Sequence, residues 1–149
     1  MSTIKRLTLL ITLIALAACS ALPGNPSAQN RQKWESQHIT HYRINLSVGC
    51  FCAFRDRMPV SVEIDNGKIL SILDNQGKPA ADLQDAVGQY AGIDKLFDYI
   101  DAAHKAGAAQ VDVTYNARYG YPESIIVDQS KQVADDELSL TISSFEVLK

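Results

Sequence analysis

Cysteine, tryptophan and methionine are scarce in this chain, at 3, 1 and 2 of 149 residues. Three cysteines cannot staple a disulfide-dense miniprotein. With only 8 glycines and 5 prolines, neither a collagen-like repeat nor a Pro/Gly-rich low-complexity chain is possible. Lysine and arginine are never clustered, and acids outnumber bases by 17 to 14, so the electrostatic footprint of a nucleic-acid binder is missing and no nucleic-acid partner is expected. What remains is an ordinary globular balance, 46% hydrophobic and 21% charged, of a length that suits one domain.

The one long apolar run, Leu7 to Ala18, follows Lys5 and Arg6. It is too short to cross a bilayer core about 30 Å thick and has the three parts of a secretory leader. Residues 1–18 are therefore expected to be a signal peptide. Leu16-Ala17-Ala18-Cys19 resembles the bacterial lipobox at every position. That resemblance implies cleavage before Cys19, a diacylglycerol on its thiol and a further acyl chain, such as palmitate, on its amino group. Two or more chains give stable anchoring where one gives only marginal binding. Ser20 follows, and the lack of an Asp there favours the outer membrane, with the domain facing the periplasm. Losing Lys5 and Arg6 takes the 14 bases to 12 against 17 acids, a formal −5. The lipid, and not charge, is then what holds the protein to a membrane. Residues 19–30, with two prolines, a glycine and small polar groups, are expected to be the lipidated cysteine and a flexible, non-helical tether, leaving 31–149 as the folded domain.

Within that domain the spacing predicts a short helix over 31–38, with Trp34, His38 and Tyr42 in one line. The period changes to two at Tyr42, Ile44, Leu46 and Val48, and carried onward it puts Cys50 and Cys52 on the same apolar face. Val60 to Ile64 and Ile69 to Leu73 flank Asn66-Gly67, a type I′ hairpin signal, with Ile69 expected opposite Ile64 and Leu73 opposite Val60. Residues 74–91 read as a connection. Ile93, Leu96, Phe97, Ile100 and Ala103 form a helical stripe ending before Gly107. Three strands follow at Val111–Tyr115, Ile125–Val127 and Leu138–Ile142. Phe145 and Val147 fall one position out of register, which a bulge near Ser143-Ser144 would correct. The expectation is an α+β fold, a mostly antiparallel sheet with one or two helices on one face and a possible tandem αβββ arrangement.

Trp34, Tyr42, Cys50-Phe51-Cys52, Asp65-Asn66-Gly67-Lys68, Leu96-Phe97, Tyr119-Gly120-Tyr121-Pro122 and Asp135-Asp136-Glu137 occur in this order. The pattern resembles the bacterial envelope lipoproteins grouped as domain of unknown function 6174, over about residues 34–146. Gly92-Ile93-Asp94 stands where a better helix N-cap is expected. The resemblance implies a secreted or lipid-anchored envelope domain and carries no activity.

Cys50-x-Cys52 is the most chemical feature. An oxidising compartment favours a bridge, yet Cα atoms two apart in an extended strand lie roughly 6.5–7 Å apart, at or beyond the disulfide range, so a bridge needs a kink at Phe51. A strained disulfide leads, two half-buried thiols come second, and a redox or soft-metal pair third. His38 and His41 have metal-compatible spacing on a helical turn, but residue 41 falls in the strand and no carboxylate ligand is placed beside the pair, so with His104 they are expected to be partly exposed polar residues and not metal ligands. Asp128, Asp135, Asp136 and Glu137 lack calcium-loop spacing and read as turn residues. Tyr119 and Tyr121 are either an exposed contact lip or a turn packed back on the sheet. No hydrolase elbow, zinc-protease helix or phosphate loop is present. No catalytic residue, metal or cofactor is expected. The function expected is that of a lipid-anchored envelope protein, a non-enzymatic binding or structural module. Its partners would be the membrane, through its lipid, and an envelope protein or the cell wall. The alternative is a redox or metal-handling protein using Cys50 and Cys52.

Overall fold

A computed structural model describes residues 25–133 and 137–149. Residues 1–18, expected to be a signal peptide, and Cys19, Asp135 and Asp136 lie outside them. The described residues form three helices and six strands: α1 (Pro26–Glu35), β1 (His41–Gly49), β2 (Val60–Asp65), β3 (Lys68–Leu73), α2 (Gln84–Val87), α3 (Ile93–Ala106), β4 (Gln110–Tyr115), β5 (Pro122–Asp128) and β6 (Leu138–Val147). Among them no helix is long and apolar enough to cross a membrane.

The strands make one antiparallel sheet in the order β3-β2-β1-β6-β5-β4. Each half is a helix followed by a three-strand meander, and the halves meet where β1 pairs with β6. This is the expected α+β fold in its tandem αβββ form. One face of the sheet is apolar: Tyr42, Ile44, Leu46 and Val48 of β1 alternate with Arg43, Asn45 and Ser47, and Val60, Val62 and Ile64 continue the face across β2. The stripe Ile93, Leu96, Phe97, Ile100 and Ala103 of α3 is buried against it, and Gly107 ends that helix at φ 75°. The segment expected as a connection places Ala80, Leu83, Val87 and Ala91 in the same core.

Three local expectations need correction. The tether does not reach residue 30, because α1 starts at Pro26. The Asn25 side chain accepts the Ser27 N–H at 3.0 Å and Pro26 presets the first helical φ, so Asn-Pro opens a helix here. That helix also ends at Glu35, and His38 lies beyond it at φ 53°. In the β2–β3 hairpin Asn66 and Gly67 take φ 48° and 75°, and Ile64 faces Ile69 as expected, but Leu73 faces Ser61 and not Val60. Leu70 is an extra residue in β3, left 56% exposed, and Ile72 takes the core position. The expected bulge in β6 is present: Asn45 pairs with Ser144 and Leu46 with Ile142. Skipping Ser143 returns Phe145 to the core side, while Val147 stays exposed.

Candidate functional site

Two clusters of distinctive residues emerge, and only one faces solvent. The first is aromatic. The Trp34 ring stands edge-on to Tyr42 at 5.5 Å and to Phe145 at 5.7 Å between centroids, and Tyr121 lies 4.8 Å from Phe145. The polar atoms of these rings reach the start of α3. Trp34 Nε1 donates to Asp94 Oδ1 at 3.1 Å, and the Tyr42 hydroxyl accepts the Ile93 N–H at 3.0 Å. Gly92 has no side chain with which to cap α3, so the Tyr42 hydroxyl caps it by accepting the Ile93 N–H, while Trp34 ties down the Asp94 carboxylate in the first turn. Burial pushes the Tyr42 phenol up to about 12, against the opposing pull of its Ile93 hydrogen bond.

Tyr119 and Tyr121 belong to this cluster. Tyr121 is 6% exposed, and half-buried Tyr119 lies 5.2 Å from Phe145. The expectation of two exposed aromatics forming a contact lip is therefore corrected: the turn packs back on the fold. Gly120 sits at φ 85°, and a Cβ there would come 2.6 Å from the Asn30 carbonyl. Only glycine lets the turn close onto α1. Lys33 Nζ also donates to the Ala117 carbonyl across this contact.

The second cluster is a groove of about 490 Å³ at the end of β1. Gly49 pairs with Ser139, which pairs with Ile126. This cross-strand row lies on the sheet face away from the helices. Gly49 leaves its centre hollow, since a Cβ there would collide with Ser139 Oγ. Beyond Gly49 the strand does not continue through the cysteines, as its period suggested. The chain turns, with Arg55 N–H donating to the Cys52 carbonyl at 3.2 Å, and a short 3-10 turn follows over Arg55–Arg57. The kink brings the Cys50 and Cys52 Cα atoms to 5.2 Å, with the two sulfurs within bonding distance. Cys50, Phe51 and Arg55 wall the groove on this side, and Glu137 and Leu138 on the other. Phe51 is 83% exposed and Ile126 is 42% exposed.

The histidines are not brought together. His38 is exposed, His104 is on α3, and His41 Nε2 lies 3.0 Å from Glu63 Oε1. Arg43 bridges Glu63 at 2.8 Å and Glu146 at 3.1 Å. Hydrogen bonds from Arg43, and then from His41, hold the Glu63 carboxyl below its usual range. Asp128 accepts the Ser130 N–H at 2.9 Å, as a turn residue does. Among the described residues no three His, Cys, Asp or Glu side chains gather as a metal site.

Sequence reasoning singled out the cysteines but missed Gly49, Arg55, Ile126 and Ser139. Two signals were available. Gly49 leaves a bare position on the outward face of β1 after Arg43, Asn45 and Ser47, and Ile126, the middle of three consecutive apolar residues, must face outward if its neighbours face in.

The fold and groove define a small α+β domain with one polar sheet face, hollowed at one end beside a cysteine pair. Residues 27–147 match the sequence model of a family described as Family of unknown function (DUF6174), and the chain belongs to that family. No curated protein and no solved structure matches it.

Proposed function

We propose that this protein is a bacterial envelope lipoprotein, held by acyl chains on Cys19 to the periplasmic face of the outer membrane, and that its folded domain acts by binding. The leader, the lipobox Leu16-Ala17-Ala18-Cys19 and Ser20 support the anchoring. The observation that carries the binding reading is the exposed ring of Phe51 beside the groove of about 490 Å³. An aromatic held in a tight turn loses little side-chain entropy on contact and makes a good anchor. The groove also offers a cation at Arg55, a carboxylate at Glu137 and apolar surface at Ile126 and Leu138, a mixture suited to an extended segment of another envelope protein.

A photo-crosslinking residue at position 51 or 139, in cells, tests this reading. One discrete protein adduct, absent when the probe stands at Asp112 on β4, is the expected result. Adducts equally diffuse at all three positions would sink the binding site, and adducts to glycan alone would transfer it to the cell wall.

A further inference from the structure

We infer that the groove captures its partner covalently, by thiol–disulfide exchange at Cys50. The inference rests on the groove being a binding surface and gives its occupant a chemistry: a polypeptide that presents a free thiol flanked by apolar side chains.

Three observations converge. The close pair Cys50 and Cys52 is not sealed in the core; both residues are half-exposed, and Cys50 forms part of the groove wall. Phe51, between them, projects into solvent with apolar Ile126 across the groove. Arg55 lines the same groove, one tight turn beyond Cys52. A bridge that serves only to hold the fold gains little here, since the closed loop spans a sequence separation of 2 and loop-closure stabilisation grows with loop length. Exposed disulfides are the exchangeable ones.

The step is balanced without an outside oxidant. The partner's thiol gives up its proton and its thiolate attacks Cys50 Sγ. The partner–Cys50 disulfide forms as the Cys50–Cys52 bond breaks. The electron pair leaves on Cys52 Sγ, which takes up the proton. One disulfide is consumed and one is made, so a single domain holds a single partner, in keeping with a module that binds without turnover. Attack falls on Cys50 because Cys50, and not Cys52, lines the groove. The cationic Arg55, which lines the groove, favours the incoming thiolate.

The test uses the mature lipidated protein in detergent, whose only other cysteine is Cys19. It is mixed with glutathione, or with an octapeptide carrying one Cys between Leu and Val, and followed by intact mass and peptide mapping. The expected result is a one-to-one adduct on Cys50, formed about ten-fold faster with the octapeptide than with glutathione. Phe51→Ala should remove that advantage, so that the octapeptide and glutathione react with the variant at similar rates. Native protein that already alkylates at both cysteines, an adduct on Cys52, or equal rates for Phe51→Ala and the unaltered protein would overturn the exchange. The Cys→Ser octapeptide separates the two readings. If it binds but the Cys form makes no adduct, the groove stands and the exchange fails. If neither form binds, the inferred occupant fails with the exchange.

Discussion

At the scale of single residues, Tyr42 shows how much one hydroxyl decides. Its ring is 4% exposed, and its oxygen accepts the Ile93 N–H that opens α3. Tyr42→Phe keeps the ring and orphans that N–H. Chemical denaturation should register a loss of about 1–3 kcal/mol with an unchanged denaturant slope. The same phenol sets a pH limit. Its pKa is raised in the fold to about 12 from 10.0, so its contribution is whole below the unfolded value and is lost as pH climbs through the folded one. Stability measured from pH 9 to 12 should therefore fall by roughly 2–3 kcal/mol more than in Tyr42→Phe, whose curve lacks this component. A second residue-scale expectation concerns Cys50 and Cys52. Alkylation of native protein without reduction should add nothing to them, and two adducts would mean free thiols. The cysteine pair could be read from the sequence because both residues are chemically rare. Its closure could not, because the kink at Phe51 depends on where β1 stops, and β1 stops at Gly49.

Secondary-structure elements were legible wherever periodicity ran unbroken. The α3 stripe, the Asn66-Gly67 turn and the inward positions of β1 all follow from local pattern, since each side chain's face is fixed by a repeat of 3.6 or 2. Interruptions are harder. The bulge at Ser143 was visible because two apolar residues after it fell out of phase. The bulge at Leu70 was hidden, because Ile69, Leu70, Ile72 and Leu73 are all apolar and satisfy two registers alike. Deleting Ser143 should leave Phe145 in the aromatic cluster, because Ile142, Ser144 and Phe145 then alternate in, out and in without a bulge. The expected outcome by thermal or chemical unfolding is a change within about 1 kcal/mol, against a loss of about 2 kcal/mol or more for Phe145→Ala. A deletion as costly as Phe145→Ala would show that β6 does not keep this register. The start of α1 is ambiguous for another reason: Asn25-Pro26 has both the composition of a linker and the chemistry of a helix N-terminus, and local sequence does not decide between them.

For the whole molecule, the prediction of most consequence is anchorage. With residues 1–18 removed the chain carries a formal −5, which gives it no electrostatic hold on an anionic bilayer. Cys19→Ala should abolish fatty-acid labelling and processing at this site. Wild-type protein that takes up no labelled fatty acid would refute the lipoprotein reading outright.

The sequence by itself determined the elements and their inward faces, the αβββ repetition and the family resemblance, because all of these rest on neighbours in the chain. Only the tertiary structure decided that the two meanders join through β1 and β6. That seam sets Gly49 beside Ser139 and Ile126, residues scattered over three strands, and so hollows the groove that Cys50 and Phe51 overlook. It also placed Tyr121 inside, where the sequence left packing and exposure equally open. The physical reason is the same in each case. Periodicity reports which way a side chain points from its own backbone, while a cavity or an aromatic cluster depends on which distant backbone is paired alongside.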